Sequence, residues 1–419
     1  MIQVEFILKN KDIVINKLRK RRFEKLNILD DIIVISQERK NTQTVLDNKR
    51  NEINKVTKEI ALKPQAIDQL KQELVSVKSD IKDLESKLRD LKNQELELLT
   101  QIPNLPHDSV PEGKGAQDNN IVYESNVSNR KYNESLLSHM DIASKFNIID
   151  FAQGTKITGS GFPIFRGKGA KLERALINFF LEEATKNGYE EIVPPFIVNY
   201  DSAFATGQLP DKDEQMYHIQ KDNFYLIPTS EVPVTNIYRN EILKESDLPI
   251  KLTAYSPCFR REAGSYGSAV KGLNRVHQFN KVEIVQIVNQ EGSYKVLEDM
   301  CKHVDNLLNK LKLHYRLLQL CGGDLGFASA TTYDFEVYSP GQKMWLEVSS
   351  VSNFENFQSN RLKLRYKDAY QKIHLTHTLN GSALALPRIV VAILEQYQEN
   401  DRIVIPEILV PFTGFKYID

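Results

Sequence analysis

The stretch FRREAGSYGSAVKGLNRVHQFNKVE, from Phe259 to Glu283, carries the pattern that decides the fold. Two runs that are typical of β-strands, Tyr255–Ala263 and Arg275–Val285, flank a loop that is rich in glycine. Strand-like runs on either side of such a loop predict a long β-hairpin.

The hairpin presents an unusual set of side chains. Because side chains alternate between the two faces of a strand, Arg260 and Glu262 are expected on one face of the first strand, and alternate residues from His277 to Glu283, among them Phe279, on one face of the second. A guanidinium, carboxylates and a flat ring suit a nucleotide, since arginine forks onto phosphate, phenylalanine stacks on a base and glutamate accepts from an exocyclic amine. The alternative is an exposed hairpin with solvated ion pairs.

Length and composition set limits on the class of protein. The chain has 419 residues, of which 41% are hydrophobic and 26% charged, as in globular proteins of two or three domains. Lysine plus arginine equals aspartate plus glutamate, at 55 each, which argues against a protein that coats nucleic acid in bulk.

The cysteines and the apolar runs indicate the compartment. Cys258, Cys301 and Cys321 form no CxxC pair, so the sequence predicts no zinc site and favours a reducing, cytoplasmic setting. No apolar run approaches the length that spans a membrane, and the N-terminus, with Glu5 and Asp12, has no secretory pattern.

Two heptad runs follow a short helical start at residues 1–22. Apolar positions recur at spacings of three and four from Ile32 to Ile60 and from Ile67 to Leu91, with Arg39 and Lys49 on the first seam. This pattern predicts an antiparallel two-helix coiled-coil arm over residues 26–99, folded about Leu62–Pro64.

The register of the arm follows from the fold at that turn, which places Ile60 opposite Ile67, Ile53 opposite Leu74 and Leu46 opposite Ile81. The arm is expected to hold or reach a partner, and the alternative is a spacer or dimerisation coil. Domain boundaries are expected at 1–102 for an N-terminal helical domain, 103–120 for a linker rich in proline and glycine, and 121–419 for a catalytic domain.

Several elements of the catalytic part can be predicted. Gly167–Asn187 has helical periodicity and ends before Gly188, and GYEEIVPPFIV reads as a strand interrupted by Pro194 and Pro195. The run Phe224–Val234 is expected to be a strand.

Three polar groups sit on these predicted elements. In the strand Phe224–Val234, Thr229 and Glu231 would share a face, and in a strand over Lys343–Phe354, Glu347 and Ser349 would share a face. Thr378–Gln398 is expected to be a turn that feeds a helix with Arg388 in its first turns, where helix dipole and arginine both favour phosphate.

Other nucleotide and hydrolase patterns are missing from the sequence. It contains no GxxxxGK[ST] and no GxGxxG anchored to a strand, and nothing in it matches a serine or cysteine triad. These patterns therefore do not explain a nucleotide site here.

Three separated blocks, GYEEIVPP, FRREAG…RVHQFNKVE and NGSALALPR, match one pattern. The chain resembles the class II aminoacyl-tRNA synthetases and, through PTSE, TGQLP and EVSSVSNF in this order, the bacterial seryl-tRNA synthetases in particular. The N-terminal helical hairpin is also a hallmark of that family, so the resemblance covers essentially the whole chain.

The resemblance implies an α+β fold, in which an antiparallel class II sheet of six or seven strands is flanked by helices and preceded by the coiled-coil arm. It implies a homodimer formed through the first block, with ATP and Mg²⁺ at the site. It also implies that L-serine is activated to seryl-adenylate and transferred to the 3′ end of tRNA(Ser), and also of tRNA(Sec).

The resemblance also assigns residues. Arg260 would grip the α-phosphate and Arg388 the other side of the base and the γ-phosphate, and these two would be the catalytic residues. The ATP site would comprise Arg260, Arg261, Glu262, Arg275, Val276, Phe279, Glu347, Val348, Ser349, Ser350 and Arg388. The serine pocket would comprise Thr229, Ser230, Glu231, Glu283 and Ser382, and Mg²⁺ would lie at Glu347 and Ser350.

Which pocket residue takes the serine ammonium and which the hydroxyl is left open by the sequence. Two rival functions are an amino-acid:carrier-protein ligase that makes an adenylate without charging tRNA, and a coiled-coil scaffold with an inactive catalytic fold. The intact heptad arm argues against the first. Arg260, Glu262, Phe279, Glu283 and Arg388 together argue against the second.

Overall fold

A computed structural model describes residues 1–62, 67–125, 132, 136–211, 214–263, 271–399 and 401–419. The chain divides into two compact units, Met1–Leu105 and Pro106–Asp419. The division falls inside the segment 103–120, where the sequence predicts a linker. Among the described residues, no helix is both long enough and apolar enough to cross a membrane.

The first unit is helical. Its helices are α1 (Val4–Lys9), α2 (Lys11–Lys20), α3 (Ile28–Leu62) and α4 (Ile67–Leu99). Asp30 and Asp31 lie in the first turn of α3, where carboxylates complement the helix dipole.

Helices α3 and α4 form the predicted antiparallel hairpin. Low numbers on α3 meet high numbers on α4: Arg39 Nε lies 3.0 Å from Glu95 Oε2, and Lys49 Nζ lies 3.0 Å from Asp80 Oδ2. The two cations on the predicted seam therefore extend outward to carboxylates of the opposite helix. The predicted pair of Ile60 with Ile67 and the turn at Leu62–Pro64 lie outside the residues whose side chains are described.

The second unit is built on a large sheet. Its strands in chain order are β1 (Asn120–Glu124), β2 (Ile149–Asp150), β3 (Ile164–Phe165), β4 (Glu190–Glu191), β5 (Ile197–Asn199), β6 (His218–Ile219), β7 (Phe224–Leu226), β8 (Ile242–Lys244), β9 (Ile250–Phe259), β10 (Gln278–Val288), β11 (Tyr315–Gln319), β12 (Thr331–Ser339), β13 (Met344–Asn353), β14 (Arg365–Lys367), β15 (Ile373–Leu375), β16 (His377–Ala385), β17 (Gln398–Glu399), β18 (Arg402–Val404) and β19 (Tyr417–Ile418).

Eight of the described strands form this sheet, in the order β1-β11-β12-β13-β16-β10-β9-β4. Seven pair in antiparallel fashion, and β4 joins the edge in parallel with β9. The expected six or seven strands thus become eight, because Glu190 and Glu191 pair with Leu252 and Thr253 before Pro194 ends the run. The remaining strands form small satellite sheets.

The helices of the second unit are α5 (His139–Phe146), α6 (Phe151–Ile157), α7 (Gly167–Lys186), α8 (Tyr200–Thr206), α9 (Glu231–Asn236), α10 (Ser293–Lys310), α11 (Phe357–Leu362), α12 (Leu386–Gln396) and α13 (Val410–Thr413). Helix α7 matches its predicted span and ends as predicted, because Gly188 follows it with a φ of 81°.

One face of the sheet is closed by helices. Leu176 and Phe180 of α7 and Ile389 of α12 pack in the main core against Val282 and Ile284 of β10. Since side chains alternate along a strand, Phe279, Lys281 and Glu283 of β10 point to the opposite face. The sheet therefore presents these three residues away from the helical layer.

The segment before α12 differs from its prediction. Thr378–Ala385 belongs to strand β16 and is not a turn. It pairs with β10 on one side and β13 on the other, and its residues are buried except for Asn380 and Ala385, which are half-buried. Asn380 and Gly381 favour turns locally, but pairing on both edges satisfies the backbone of a central strand and overrides that preference.

Candidate active site

The predicted hairpin is present as β9 and β10. Their register runs from Phe259 opposite Gln278 to Ile250 opposite Ile287. The first strand ends at Phe259, so the expectation that Arg260 and Glu262 share a strand face is wrong.

The chain leaves the strand after Arg260 for a local reason. The Arg260 N–H still donates to the His277 carbonyl, at 2.9 Å, but the next N–H, of Arg261, donates to Gln215 at 2.9 Å. Glu262 then adopts a φ of 47°, in the left-handed region. Residues 264–270 of the loop lie outside the described residues.

Arg260 and Phe279 form one wall of a cleft. The guanidinium carbon of Arg260 lies 5.2 Å from the centre of the Phe279 ring, and its Nε donates to the Pro228 carbonyl at 3.3 Å. A cation fixed at its Nε keeps the fork of its terminal nitrogens for another ligand.

The cleft has a volume of about 490 Å³, including its open mouth. Its lining comprises Arg260, Glu262, Leu273, Asn274, Arg275, Val276, Phe279, Lys281, Glu347, Val348, Ser382, Ala385, Pro387 and Arg388. Eight of the eleven residues predicted for ATP are in this lining; Arg261, Ser349 and Ser350 are not.

Arg388 forms the opposite wall. It lies in the first turn of α12, as predicted. Its Nε donates to the Asn274 carbonyl at 2.9 Å and its Nη1 to the Glu347 carbonyl at 2.6 Å. Burial lowers the pKa of Arg388 and the carboxylate of Glu347 opposes this. Two main-chain acceptors thus orient a planar cation over the cleft.

The mouth of the cleft carries an ion pair. Arg275 Nη1 lies 3.0 Å from Glu262 Oε2, and the Arg275 side chain is about half exposed, at 47%. Val276, which is buried, lines the cleft beside it. A third arginine therefore lines the cleft with its side chain half exposed, where it can meet a polyanion.

A compact polar pocket adjoins the cleft at Lys281 and Ser382. Lys281 Nζ forms a buried ion pair with Glu283 and donates to Thr229 Oγ1 at 2.8 Å. Thr229 Oγ1 in turn donates to Glu283 Oε2 at 3.2 Å. Ser382 is in register with Glu283 across the pairing of β10 with β16. The pairing of β10 with β16 and the segment before α9, which carries Thr229, thus place four polar side chains together.

Glu231 completes this pocket. Its Oε1 accepts from Gln358 Nε2 at 2.6 Å. Burial, followed by the nearby carboxylate of Glu283, raises the pKa of Glu231 to about 7. A buried carboxyl group whose pKa lies near neutral pH is typical of functional sites.

The predicted strand Phe224–Val234 is wrong in its second half. Strand β7 ends at Leu226 and helix α9 begins at Glu231. Pro228 has no N–H to give to a ladder, and Thr229 Oγ1 accepts from the N–H of Glu231 at 3.2 Å, which starts a helix. Ser230 is buried, and its hydroxyl donates to Ser256 at 2.6 Å.

A bulge in β13 changes which side chains share a face. Glu336 is opposite Glu347 and Phe335 is opposite Ser349, so Val348 is the extra residue. The expectation that Glu347 and Ser349 share a face is therefore wrong: Ser349 is buried and donates to the Ser382 carbonyl at 2.6 Å.

Glu347 shares its face with Ser350 instead. Ser350 is opposite Asp334, whose pKa is raised well above its usual range by burial and then by Glu347. Asp334 Oδ1 is buried and has no hydrogen-bond partner among the described residues. An orphaned carboxylate oxygen beside a second carboxylate and a hydroxyl suits a hard cation such as Mg²⁺.

The protein groups would not suffice for such a cation alone. Within the described residues, no group of three or more His, Cys, Asp or Glu side chains could hold a metal. Mg²⁺ normally takes few carboxylates together with phosphate oxygens and water. The residues present fit a cation that arrives with a phosphate.

Sequence reasoning assigned no role to four participants: Lys281, Asn274, Gln358 and Asp334. Lys281 had a usable signal, since it lies two residues before Glu283 on the same strand face. Asn274, Gln358 and Asp334 come from other elements and carry no local pattern. Only the folded chain brings them to the site.

Two family profiles match separate parts of the chain. A sequence profile of the tRNA synthetase class II core domain (G, H, P, S and T) matches residues 215–397. A profile of the seryl-tRNA synthetase N-terminal domain matches residues 1–106.

Individual proteins match over their full length. A serine–tRNA ligase of Akkermansia muciniphila is 44% identical over 419 residues, covering 99% of this chain and 98% of that protein. One of Salinibacter ruber is 46% identical over 409 residues, covering 96% and 95%.

Solved structures match as well. The seryl-tRNA synthetase from Pyrococcus horikoshii complexed with ATP has a TM-score of 0.91 and 32% identity, covering 100% of this chain and 99% of that one. The cytoplasmic serine–tRNA ligase from Naegleria fowleri in complex with AMP has a TM-score of 0.86 and 27% identity, covering 98% and 96%.

Proposed function

Because this chain belongs to the seryl-tRNA synthetase family of class II enzymes, we propose that its cleft binds ATP and that the adjoining polar pocket binds L-serine. The chain activates L-serine with ATP to seryl-adenylate and transfers the seryl group to the 3′ end of tRNA(Ser). The observation that carries the assignment of the site is the junction of a cationic, aromatic cleft with a buried pocket of Thr229, Glu231, Glu283 and Ser382.

In the cleft, the adenine ring lies between Phe279 and the guanidinium of Arg388, and Glu262 accepts from its amine. Arg260 holds the α-phosphate, which is the reacting group. Arg275 meets the β- and γ-phosphates at the open end. The fixed Nε contacts of Arg260 and Arg388 support these roles, since a preorganised fork loses little freedom when phosphate binds.

Two further residues complete the lining of the ATP site in this proposal. Val276 and Val348 border the nucleotide, and both line the cleft. Arg261 and Ser349 do not line it and would act on the nucleotide only through a neighbouring residue, whereas Ser350, which also lies outside the lining, faces Asp334 and would take part through Mg²⁺.

In the pocket, Glu283 and Glu231 are the acceptors for the ammonium group, and Thr229 and Ser382 are the partners for the small hydroxyl. Ser230 supports the pocket from behind through its bond to Ser256. A site of this kind rejects alanine and glycine, because a missing hydroxyl leaves buried polar groups without partners.

The chemistry needs no general base. The carboxylate of serine is already ionised when it attacks the α-phosphorus, so catalysis depends on placement and on cations around the phosphate. Mg²⁺ would be held by Glu347 and Ser350, beside the orphaned Asp334 oxygen, and would neutralise charge on the phosphates.

The helical domain, residues 1–102 with the arm at 26–99, binds tRNA through shape and backbone contacts, and residues 103–120 link it to the catalytic domain, 121–419. The family-wide N-terminal match supports this role. We propose tRNA(Sec) as a second substrate on the same grounds, since an arm that grips shape does not read the anticodon.

The active form is a homodimer joined near β4. Val193 and Ile237 are 84% and 49% exposed. Both flank a small buried cluster in which Val234 and Leu252 pack with Ile192. Exposed apolar side chains beside a sheet edge are typical of a protein interface. The protein works in the cytoplasm, where its three free cysteines stay reduced.

ATP–pyrophosphate exchange by the full chain tests this function. Exchange is expected with L-serine far above L-threonine, L-alanine or glycine, and charging is expected with tRNA(Ser). Equal exchange with alanine would contradict the polar pocket. Exchange without tRNA charging would instead favour a carrier-protein ligase.

A further inference from the structure

Glu395 is a fully buried carboxylate on α12 that the proposed chemistry does not use. Its Oε1 accepts from the His139 N–H at 2.9 Å and faces His139 Nδ1 at 3.0 Å. Its Oε2 accepts from the Gly341 N–H at 3.0 Å and from the Ser339 hydroxyl. Donors thus satisfy both oxygens, which explains how the group is tolerated in the core.

His139 extends this network to the end of the hairpin loop. The Leu273 N–H, 3.1 Å away, can only donate, so His139 Nε2 must be the acceptor. The proton of the imidazole is then on Nδ1 and points to Glu395. Gly272 sits against the same ring: its φ is 65°, and a Cβ there would lie 2.1 Å from Nε2.

Gln342 links Asn274, the residue after Leu273, to the same carboxylate of Glu395. Its Nε2 lies 3.3 Å from Glu395 Oε1, and its Oε1 accepts from Asn274 Nδ2 at 2.7 Å. Leu273 and Asn274 are therefore each held to Glu395, one through an imidazole and the other through an amide.

The held segment is the one that orients Arg388. The Asn274 carbonyl accepts from Arg388 Nε at 2.9 Å. Arg388 and Glu395 are seven residues apart on α12, which is close to two helical turns and so places them on one side of the helix. The helix and the loop are thus joined at two points, one of them at the edge of the cleft.

We propose that His139 and Gln342 are positioning residues for ATP: through Glu395 they fix residues 272–274, and so fix the carbonyl on which the Arg388 guanidinium is aligned. Neither residue lines the cleft. This inference rests on the proposed role of Arg388 in ATP binding. It predicts that disturbing the network weakens ATP binding and leaves serine binding intact, because the serine pocket is built on other residues.

The test compares His139→Phe and Gln342→Met in the full chain. ATP affinity is measured by titration calorimetry without serine, and the KM for serine by pyrophosphate exchange. The Kd for ATP is expected to rise roughly tenfold in each variant, the effect of weakening one charge-assisted hydrogen bond, with the serine KM within about twofold of wild type. His139→Gln should recover part of the loss, since its amide oxygen can accept from Leu273.

A matched control is His303→Phe. His303 is a buried histidine on α10, and neither ring nitrogen has a hydrogen-bond partner among the described residues. Its replacement should leave the Kd for ATP unchanged. The same loss of ATP affinity in His303→Phe would overturn the inference, because it would reflect general destabilisation.

Unchanged ATP affinity in His139→Phe and Gln342→Met would also overturn it. If His139→Phe does not fold, Gln342→Met decides, because Gln342 is only half-buried. A wild-type chain that binds ATP but shows no serine-dependent exchange would contradict the proposed function. The ATP affinities of the variants would still test this inference in that case.

Discussion

At the scale of single residues, the site depends on how each charged side chain is fixed before any ligand arrives. Arg260 and Arg388 each donate from Nε to a main-chain carbonyl. This hydrogen bond fixes the orientation of the guanidinium and of its terminal nitrogens. An arginine held in this way is a shaped receptor for phosphate, whereas a lysine is a point charge.

Arg260→Lys tests this property directly. We expect the variant to keep its melting temperature and to lower the rate of serine-dependent exchange by about two orders of magnitude, the usual cost of losing one preorganised donor to the transition state. Exchange kinetics at saturating ATP and serine measure it. Near-normal exchange by the variant would indicate that Arg388 or Arg275, and not Arg260, holds the α-phosphate.

Glu231 makes the pocket sensitive to pH. Its pKa is raised from 4.5 to about 7 by burial and then by Glu283. As pH rises, the unfolded chain loses this proton at a lower pH than the folded chain does. The folded state therefore loses stability between about pH 4.5 and about pH 7. The full cost above pH 7 is about 3 kcal/mol.

We therefore expect Glu231→Gln to be more stable than wild type at pH 8 and no more stable at pH 4.5, as thermal melts at both values would show. In wild type, the KM for serine should fall between pH 6 and pH 8, since the ammonium favours the ionised Glu231. Exposed Glu291→Gln is the control and should change neither quantity. A stability difference for Glu231→Gln that does not vary with pH would contradict the raised pKa.

At the scale of elements, β10 carries three residues of the site, Phe279, Lys281 and Glu283, on one face. Lys281 and Glu283 form a buried ion pair two residues apart on that strand. Breaking a buried pair by removing one partner leaves an uncompensated charge, which is far more costly than losing an exposed pair.

Lys281→Met should accordingly destabilise the chain by about 3–5 kcal/mol in denaturant titrations and abolish serine-dependent exchange. Lys49→Met, which breaks the solvent-accessible pairs with Asp80 and Glu52 on the arm, should change stability little. The double variant Lys281→Met, Glu283→Leu should regain much of the stability but not the exchange. Full stability in Lys281→Met alone would show that Glu283 has another counterion.

At the scale of the whole molecule, we expect the arm and the catalytic unit to be separable in function. Glu38 and Lys87 meet across the arm at 2.8 Å, so residues 36 and 89 can be rejoined by a short glycine linker. We expect removal of Gln37–Leu88 to leave serine-dependent exchange near normal and to abolish tRNA(Ser) charging, mainly by a higher KM for tRNA. Normal charging would show that the arm is a spacer. Lost exchange would show that the units do not fold independently.

The proposed dimer makes a second prediction at this scale. A charge placed in an apolar interface is costly to bury, so Val193→Asp should shift the chain from dimer to monomer in analytical ultracentrifugation. Val34→Asp is the matched control, because Val34 is also well exposed, at 64%, but lies on the arm. A Val193→Asp variant that stays dimeric would place the interface elsewhere.

The sequence by itself determined the features that depend on local periodicity. The heptads from Ile32 to Leu91 indicated the helical hairpin, and the strand-like runs indicated the hairpin of β9 and β10 without its exact strand ends. Alternation along β10 placed Phe279 and Glu283 on one face. Arg388 could be placed in the first turn of α12 because Pro387 favours a helix start. Each of these signals is carried by residues that are near each other in the chain.

Tertiary structure alone decided the rest. Thr378–Ala385 is a strand because β10 and β13 pair with both of its edges, although its local residues favour a turn. Val348 forms a bulge only against β12, and that bulge moves Ser349 off the face of Glu347. Asp334, Gln358 and the anchor at Glu395 come from distant segments. Strand pairing and burial between segments far apart in the chain determine the surroundings of these residues. No short stretch of sequence carries that information.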